Sequence, residues 1–182
     1  MLEIVVPGQE YYDEINEEFV YLNEQKLLLE HSLESVSKWE AKWHKAFLGK
    51  KEKTNEETLD YIRCMTLNEN EVSDPNVYSR LSNENRKAIS DYIENPMTAT
   101  YIHKNEQEGR SNETVTSELI YYWMVALQIP MECQKWHLNR LLTLVQVCNI
   151  KNKPPKKRSK GDIMRSNAAL NAARRKKYNS AG

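Results

Sequence analysis

The sequence predicts a mainly α protein: a single helical domain over residues 1–150, a small antiparallel β element at its N-terminus, and a basic C-terminal extension over residues 151–182. Three observations predict it. From Ser35 to about Asn149, apolar residues recur every three or four positions, the period that lines one face of a helix. Helix-start signals (Thr54, Ser82, Thr116 or Ser117) precede several of those runs. Charge is also divided: residues 151–182 carry eleven Lys or Arg against one acid, Asp162, while residues 1–150 carry fifteen basic and twenty-five acidic side chains. The net charge of zero therefore combines an acidic body of −10 with a tail of +10, two surfaces that attract different partners.

Leu2–Val6 has strand composition and ends at Pro7-Gly8, a turn signal. Further extended segments are expected at Glu18–Leu22 and Lys26–His31, giving a sheet of two or three strands. The acidic cluster Asp13, Glu14, Glu17 and Glu18 matches no cation-loop spacing and reads as a solvated hairpin tip. Val36, Trp39, Trp43 and Phe47 predict a helix from Ser35 with large rings on one face, ended by Gly49 and Lys50–Lys53. Thr54-Asn55-Glu56-Glu57 is a capping box, starting a helix that carries Leu59, Tyr61, Ile62, Met65 and Thr66.

Asp74-Pro75 opens a short helical turn. Ser82 caps a helix with Ala88, Ile89, Tyr92 and Ile93 inward, halted at Asn95-Pro96. Met97–Ile102 is β-favouring and is expected as an edge strand, and Asn105–Asn112 as an exposed loop. Thr116 or Ser117 caps Glu118–Gln128, and Pro130 restarts a helix to about Asn149. Met131, Trp136, Leu138, Leu141, Leu142, Leu144, Val145, Val147 and Cys148 make that last helix apolar on most sides, as a central core helix would be. Pro154-Pro155 makes residues 152–158 an extended linker. After it, Asp162 caps Ile163–Tyr178, an Ala- and Arg-rich segment whose thin apolar face leaves it marginal alone.

The sequence offers no catalytic centre, cofactor site or metal site. Cys133 and His137 have a ligand spacing on a helix, but no second pair completes four ligands, so core packing is the better reading. Five glycines form no phosphate-cradling loop, and no Gly-x-Ser-x-Gly elbow is present. Cys64, Cys133 and Cys148 are odd in number and lie in apolar patterns, which predicts buried, reduced thiols in a cytoplasmic setting. No run reaches the roughly 18 unbroken apolar residues of a membrane span, and the N-terminus has no secretory pattern. The tryptophans Trp39, Trp43, Trp123 and Trp136 fall in phase with helix faces, where core packing is the default and interface anchoring the alternative. For the tail, a docking arm or solvated extension outweighs nucleic-acid binding, since Tyr178 is its only aromatic for base stacking.

Six groups of residues stand together in order and spacing: Ser37-Lys38-Trp39-Glu40 with Trp43 and Phe47-Leu48, Glu57–Thr66, Pro96–Thr100, Thr116–Met124, Trp136-His137-Leu138-Asn139-Arg140-Leu141-Leu142, and Val147-Cys148-Asn149 before Lys153–Lys157. In that order and spacing they resemble the tail assembly chaperones of long-tailed bacteriophages. The resemblance covers nearly the whole chain, and the Trp-His-Leu-Asn-Arg-Leu-Leu segment is its most specific part. It implies a non-enzymatic protein of the bacterial host cytoplasm that binds the phage tape-measure protein and keeps it soluble until the tail tube polymerises around it. The tail-tube protein and further copies of the chain are secondary partners on this reading, with no membrane and no expected nucleic acid. The residues expected to bind the partner are Lys156, Lys157, Arg158, Arg174, Arg175, Lys176 and Lys177 of the tail, with Trp39 and Trp43. The rival readings are a head–tail connector or tail completion protein of the virion and, behind it, a nucleic-acid-binding protein acting through the tail.

Overall fold

A computed structural model describes residues 1–13, 17–74, 76–102, 114–153 and 159–179. The protein is mainly α, with six α-helices among the described residues and a small antiparallel β element at the N-terminus. The chain divides into two compact units, Met1–Asn149 and Ile150–Gly182.

The β element is one long antiparallel ribbon in two ladders. β1 (Leu2–Val6) pairs with β4 (Gln25–Leu29), and β2 (Gln9–Asp13) pairs with β3 (Glu18–Leu22). Val6 faces Gln25 and Gln9 faces Leu22, so the register runs on unchanged across the interruption. The break has a local cause. Pro7 lacks an N–H for the ladder, and a Cβ on Gly8 would lie 2.9 Å from the carbonyl oxygen of Leu22. The expectation of two or three strands is corrected to four. β2 was missed because its Glu, Tyr and Asp composition shows no apolar alternation. The base buries Ile4, Val6, Leu27 and Leu29 on one face, as period-two alternation requires. The β2–β3 tip buries no described residue.

α1 (Leu33–Trp43) starts at Ser32, whose hydroxyl accepts from Ser35 N–H while Ser35 reciprocates. It ends earlier than predicted. His44 adopts a left-handed conformation (φ 51°) and its N–H bonds to Glu40 O, so Phe47 lies beyond the helix. Phe47 is nevertheless buried, because the turn after α1 folds its ring back onto Tyr61 (centroids 4.0 Å apart) and edge-on to Trp39 (5.2 Å). α2 (Asn55–Met65) begins at the predicted box: Thr54 Oγ1 accepts from Glu57 N–H, and Glu57 Oε2 accepts from Thr54 N–H. A short 3-10 turn, Val77–Arg80, precedes α3 (Asn83–Glu94), which Ser82 caps and which buries Ile89 and Tyr92. Asp74 Oδ1 accepts from Asn76 N–H ahead of that turn, while Pro75 lies outside the described residues.

Met97–Thr100 forms no strand. Met97 has φ 49°, Asn95 Oδ1 takes the Met97 N–H, and Thr98 Oγ1 takes the Thr100 N–H. Local side chains thus capture the donors a ladder would need. The expected loop Asn105–Asn112 lies outside the described residues. α4 (Ser117–Ala126) is capped by Thr116.

The predicted helix from Pro130 to Asn149 is two pieces. Met131–Lys135 is a 3-10 turn, Trp136 is extended, and α5 runs over Leu138–Asn152. The break arises because Leu138 N–H donates to His31 O at 2.7 Å and Ser32 bridges His137, so the chain there pairs with the link between β4 and α1 rather than with itself. α5 is also not central. It buries Leu138, Leu141 and Val145, while Leu144 and Val147 are half-buried: one face, not all round. α6 (Lys160–Tyr178) is capped by Ser159, whose Oγ accepts from Asp162 N–H; Asp162, the expected cap, lies inside the first turn.

Candidate functional site

Met1–Asn149 carries a groove of about 1210 Å³, built from the C-terminal half of α1, residues 44–53, the start of α2, Thr114-Val115, α4 and α5. Its apolar lining is set by helix faces. Trp39 and Val145 are buried, and Trp123 and Leu142 are half-buried. Its exposed edge is basic, since Lys45, Lys50 and Lys51 point to solvent and Lys53 is half-buried.

Each lysine has a different environment. Lys45 pairs with the buried carboxylate of Glu57, and that hydrogen bond, helped by the one from Thr54, holds the Glu57 carboxyl below its ordinary range. Lys53 extends over the Phe47 ring, its Nζ 4.2 Å from the centroid, and partial burial lowers its pKa. Lys50 and Lys51 have no acidic partner among the described residues.

A buried carboxylate sets the shape of this loop. Glu40 is 7% exposed, with Oε1 accepting from Phe47 N–H and Oε2 from Ser117 N–H, each at 2.7 Å. One side chain thus ties the turn after α1 to the N-terminus of α4, where the helix dipole favours negative charge. Glu40 was legible in part: it sits four residues after Val36, an acid in phase with an apolar face.

Trp39 and Trp43 are not free surface anchors. Trp39 is 1% exposed and its Nε1–H donates to Glu57 O at 2.8 Å; Trp43 is half-buried and donates to Asp60 Oδ2 at 2.8 Å. Both are committed to packing α1 against α2, although Trp39 also lines the groove. Lys156, Lys157 and Arg158 lie outside the described residues. Arg174, Arg175, Lys176 and Lys177 are exposed at the C-terminal end of α6, where the helix dipole favours cations.

Cys133 and His137 do not share a helix face, because the 3-10 turn and the extended Trp136 separate them. His137 Nε2 donates to Tyr92 O (3.0 Å) and Nδ1 accepts from Asn139 N–H (3.3 Å), which uses both ring nitrogens of a neutral imidazole. His31 packs edge-on to it with centroids 5.1 Å apart and hydrogen-bonds Tyr61 Oη through Nδ1. Burial, reinforced by the neighbouring His137, pushes His31 down to about 3; burial also lowers His137, against the Tyr92 hydrogen bond. Sequence reading missed this pair because its members are more than a hundred residues apart.

Cys133 is buried and Cys64 and Cys148 half-buried, all with free thiols; burial raises the first two. Among the described residues no three His, Cys, Asp or Glu side chains are grouped to hold a metal ion, and no helix is long and apolar enough to cross a membrane. No protein-family model, curated protein or solved structure matches the chain.

Proposed function

We propose that this protein acts by binding rather than by catalysis, as a tail assembly chaperone that holds a phage tape-measure protein soluble until tail-tube subunits enclose it. The observation that carries this reading is α6. It is a 19-residue helix in the Ile150–Gly182 unit, and none of its residues is buried. Ile163, Met164 and Leu170 are exposed beside Arg165, Arg174 and Arg175. A helix that buries nothing gains too little from its own hydrogen bonds to be held in water alone, so a partner surface is the natural source of its stability. The resemblance of the Trp136–Leu142 region and its neighbours to the chaperone family supplies the class of partner, a long helical chain with apolar faces.

The test is co-expression and pull-down with the matching tape-measure protein. The intact chain should keep it soluble. A chain ending at Lys153 should stay folded but bind more weakly, with the loss largest at low salt, because exposed charges act only within a Debye length. Capture of DNA instead, lost with the same truncation, would replace this reading with nucleic-acid binding. A stoichiometric place in the purified virion with no tape-measure binding would replace it with a connector.

A further inference from the structure

We infer that this protein associates with itself head to tail, the β2–β3 tip of one copy seating in the lysine-rimmed groove of the next. The tip is a surface that water does not favour. Tyr11, Tyr12, Phe19 and Tyr21 are all exposed, the last two by 62% and 69%. Tyr12 and Phe19 face each other across the ladder and pack edge-on with centroids 5.1 Å apart. An isolated two-stranded ribbon is marginal in water, and a cluster of exposed rings marks a contact surface. Tyrosine suits such a role because its ring is apolar and its hydroxyl can remain wet or bonded at a rim.

Charge selects the occupant of the groove. Between residues 9 and 24 the chain has no Lys or Arg, and Glu10, Glu17 and Glu18 are exposed on the tip. Residues 1–150 carry a net −10, so such an acidic tip is repelled by most of a neighbouring body. An exception is the turn after α1, with Lys45, Lys50, Lys51 and Lys53 against the single acid Glu52. Lys50 and Lys51 are the two without an acidic partner among the described residues, and they border an apolar floor of Trp39, Trp123, Leu142 and Val145. The rings match the floor and the carboxylates match the rim. No tip residue lines the groove of its own copy, and the exposed helix α6 is basic, so neither fits as well as the tip of a second copy. Two different patches meet in this contact, so it repeats from copy to copy into a ring or an open chain. Nothing in it depends on a phage partner.

Sedimentation velocity on the full chain over a range of concentrations tests this, with circular dichroism as the check on folding. The wild type should form species larger than a monomer, and these should recede at high salt. Lys50→Glu/Lys51→Glu and Glu17→Lys/Glu18→Lys change only exposed side chains. Each variant alone should weaken association by about tenfold or more, because like charges then face each other. An equimolar mixture of the two should associate again, since each reversed patch meets the reversed patch of the other variant. Phe19→Ala/Tyr21→Ala should also be monomeric, and no partner should rescue it. A wild type that is monomeric throughout overturns the inference. So does association that both reversals leave untouched, as a contact between the basic α6 and the acidic body would be. A mixture that stays monomeric overturns it too.

Discussion

Glu40 holds two backbone N–H groups, from Phe47 and Ser117, that would otherwise be buried without a partner. Removing a shared acceptor leaves both donors dehydrated and unpaired, at about 1–3 kcal/mol each. Glu40→Ala should therefore destabilise the protein by about 2–5 kcal/mol, read as a shift in the urea midpoint, and Glu40→Gln should recover part of the loss by accepting one of the two. A Glu40→Ala variant as stable as the wild type would remove this carboxylate from the core's support. Glu57 provides the contrast. Its capping role was legible because Thr54 is three residues away, whereas Glu40 acts on residues seven and seventy-seven positions further on, which local spacing does not reveal.

Helix faces were legible and helix ends less so. The apolar period located α1 to α5, because burial of one stripe drives both the pattern and the packing. The same period carried the α1 prediction past His44 to Phe47, since a ring returned to the core by a turn has the same spacing as one on a continuing helix. It also joined Met131–Lys135 to α5, because the pairing of Leu138 with His31 that separates them is non-local. The groove was only half visible: its Trp residues and lysines were noted separately, but a space between six segments has no local signature. α5 itself supplies an expected outcome. Leu141 is fully buried and Leu144 half-buried. Leu141→Ala should cost about 2–5 kcal/mol through its lost contacts and cavity, and Leu144→Ala only about 1 kcal/mol through lost apolar area. Equal losses in denaturant unfolding would restore the picture of a helix buried all round.

At the scale of the whole body, the His31–His137 pair joins the end of β4 to the start of α5, with Tyr61 of α2 and Tyr92 of α3 around it. Both imidazoles are neutral when folded, with pKa values lowered by burial. Between the ordinary histidine value near 6.5 and the folded value near 3, the unfolded chain binds more protons than the native one. Stability is then fully present above pH 6.5 and falls as pH drops through that window. The slope should approach about 1.4 kcal/mol per pH unit for His31, and His137 should add to it in the same direction. Urea unfolding at about pH 7.5, 6.5, 5.5 and 4.5, in steps of about one unit, measures it. His31→Gln should flatten the curve. A wild-type curve already flat from pH 7 to 4.5 would show that the pair is solvated.

The hydrogen bond from Leu138 to His31 also bears on the order of events as the chain is made. The base of the ribbon lies within the first thirty residues, yet the link that leaves its last strand is tied down by a residue more than a hundred positions later. Asn85 on Val5 and Ser117 on Glu40 repeat the pattern at separations of 80 and 77. Such distant pairings must pay loop-closure entropy before any contact rewards them, and this slows folding. On the ribosome, the Leu29–Thr66 bridge and the packing of α3 on β1 can form once α2 and α3 have emerged, whereas the Leu138 bond to His31 must wait for α5. The nascent body therefore closes in two stages, and its last long-range tie forms only when its final helix arrives.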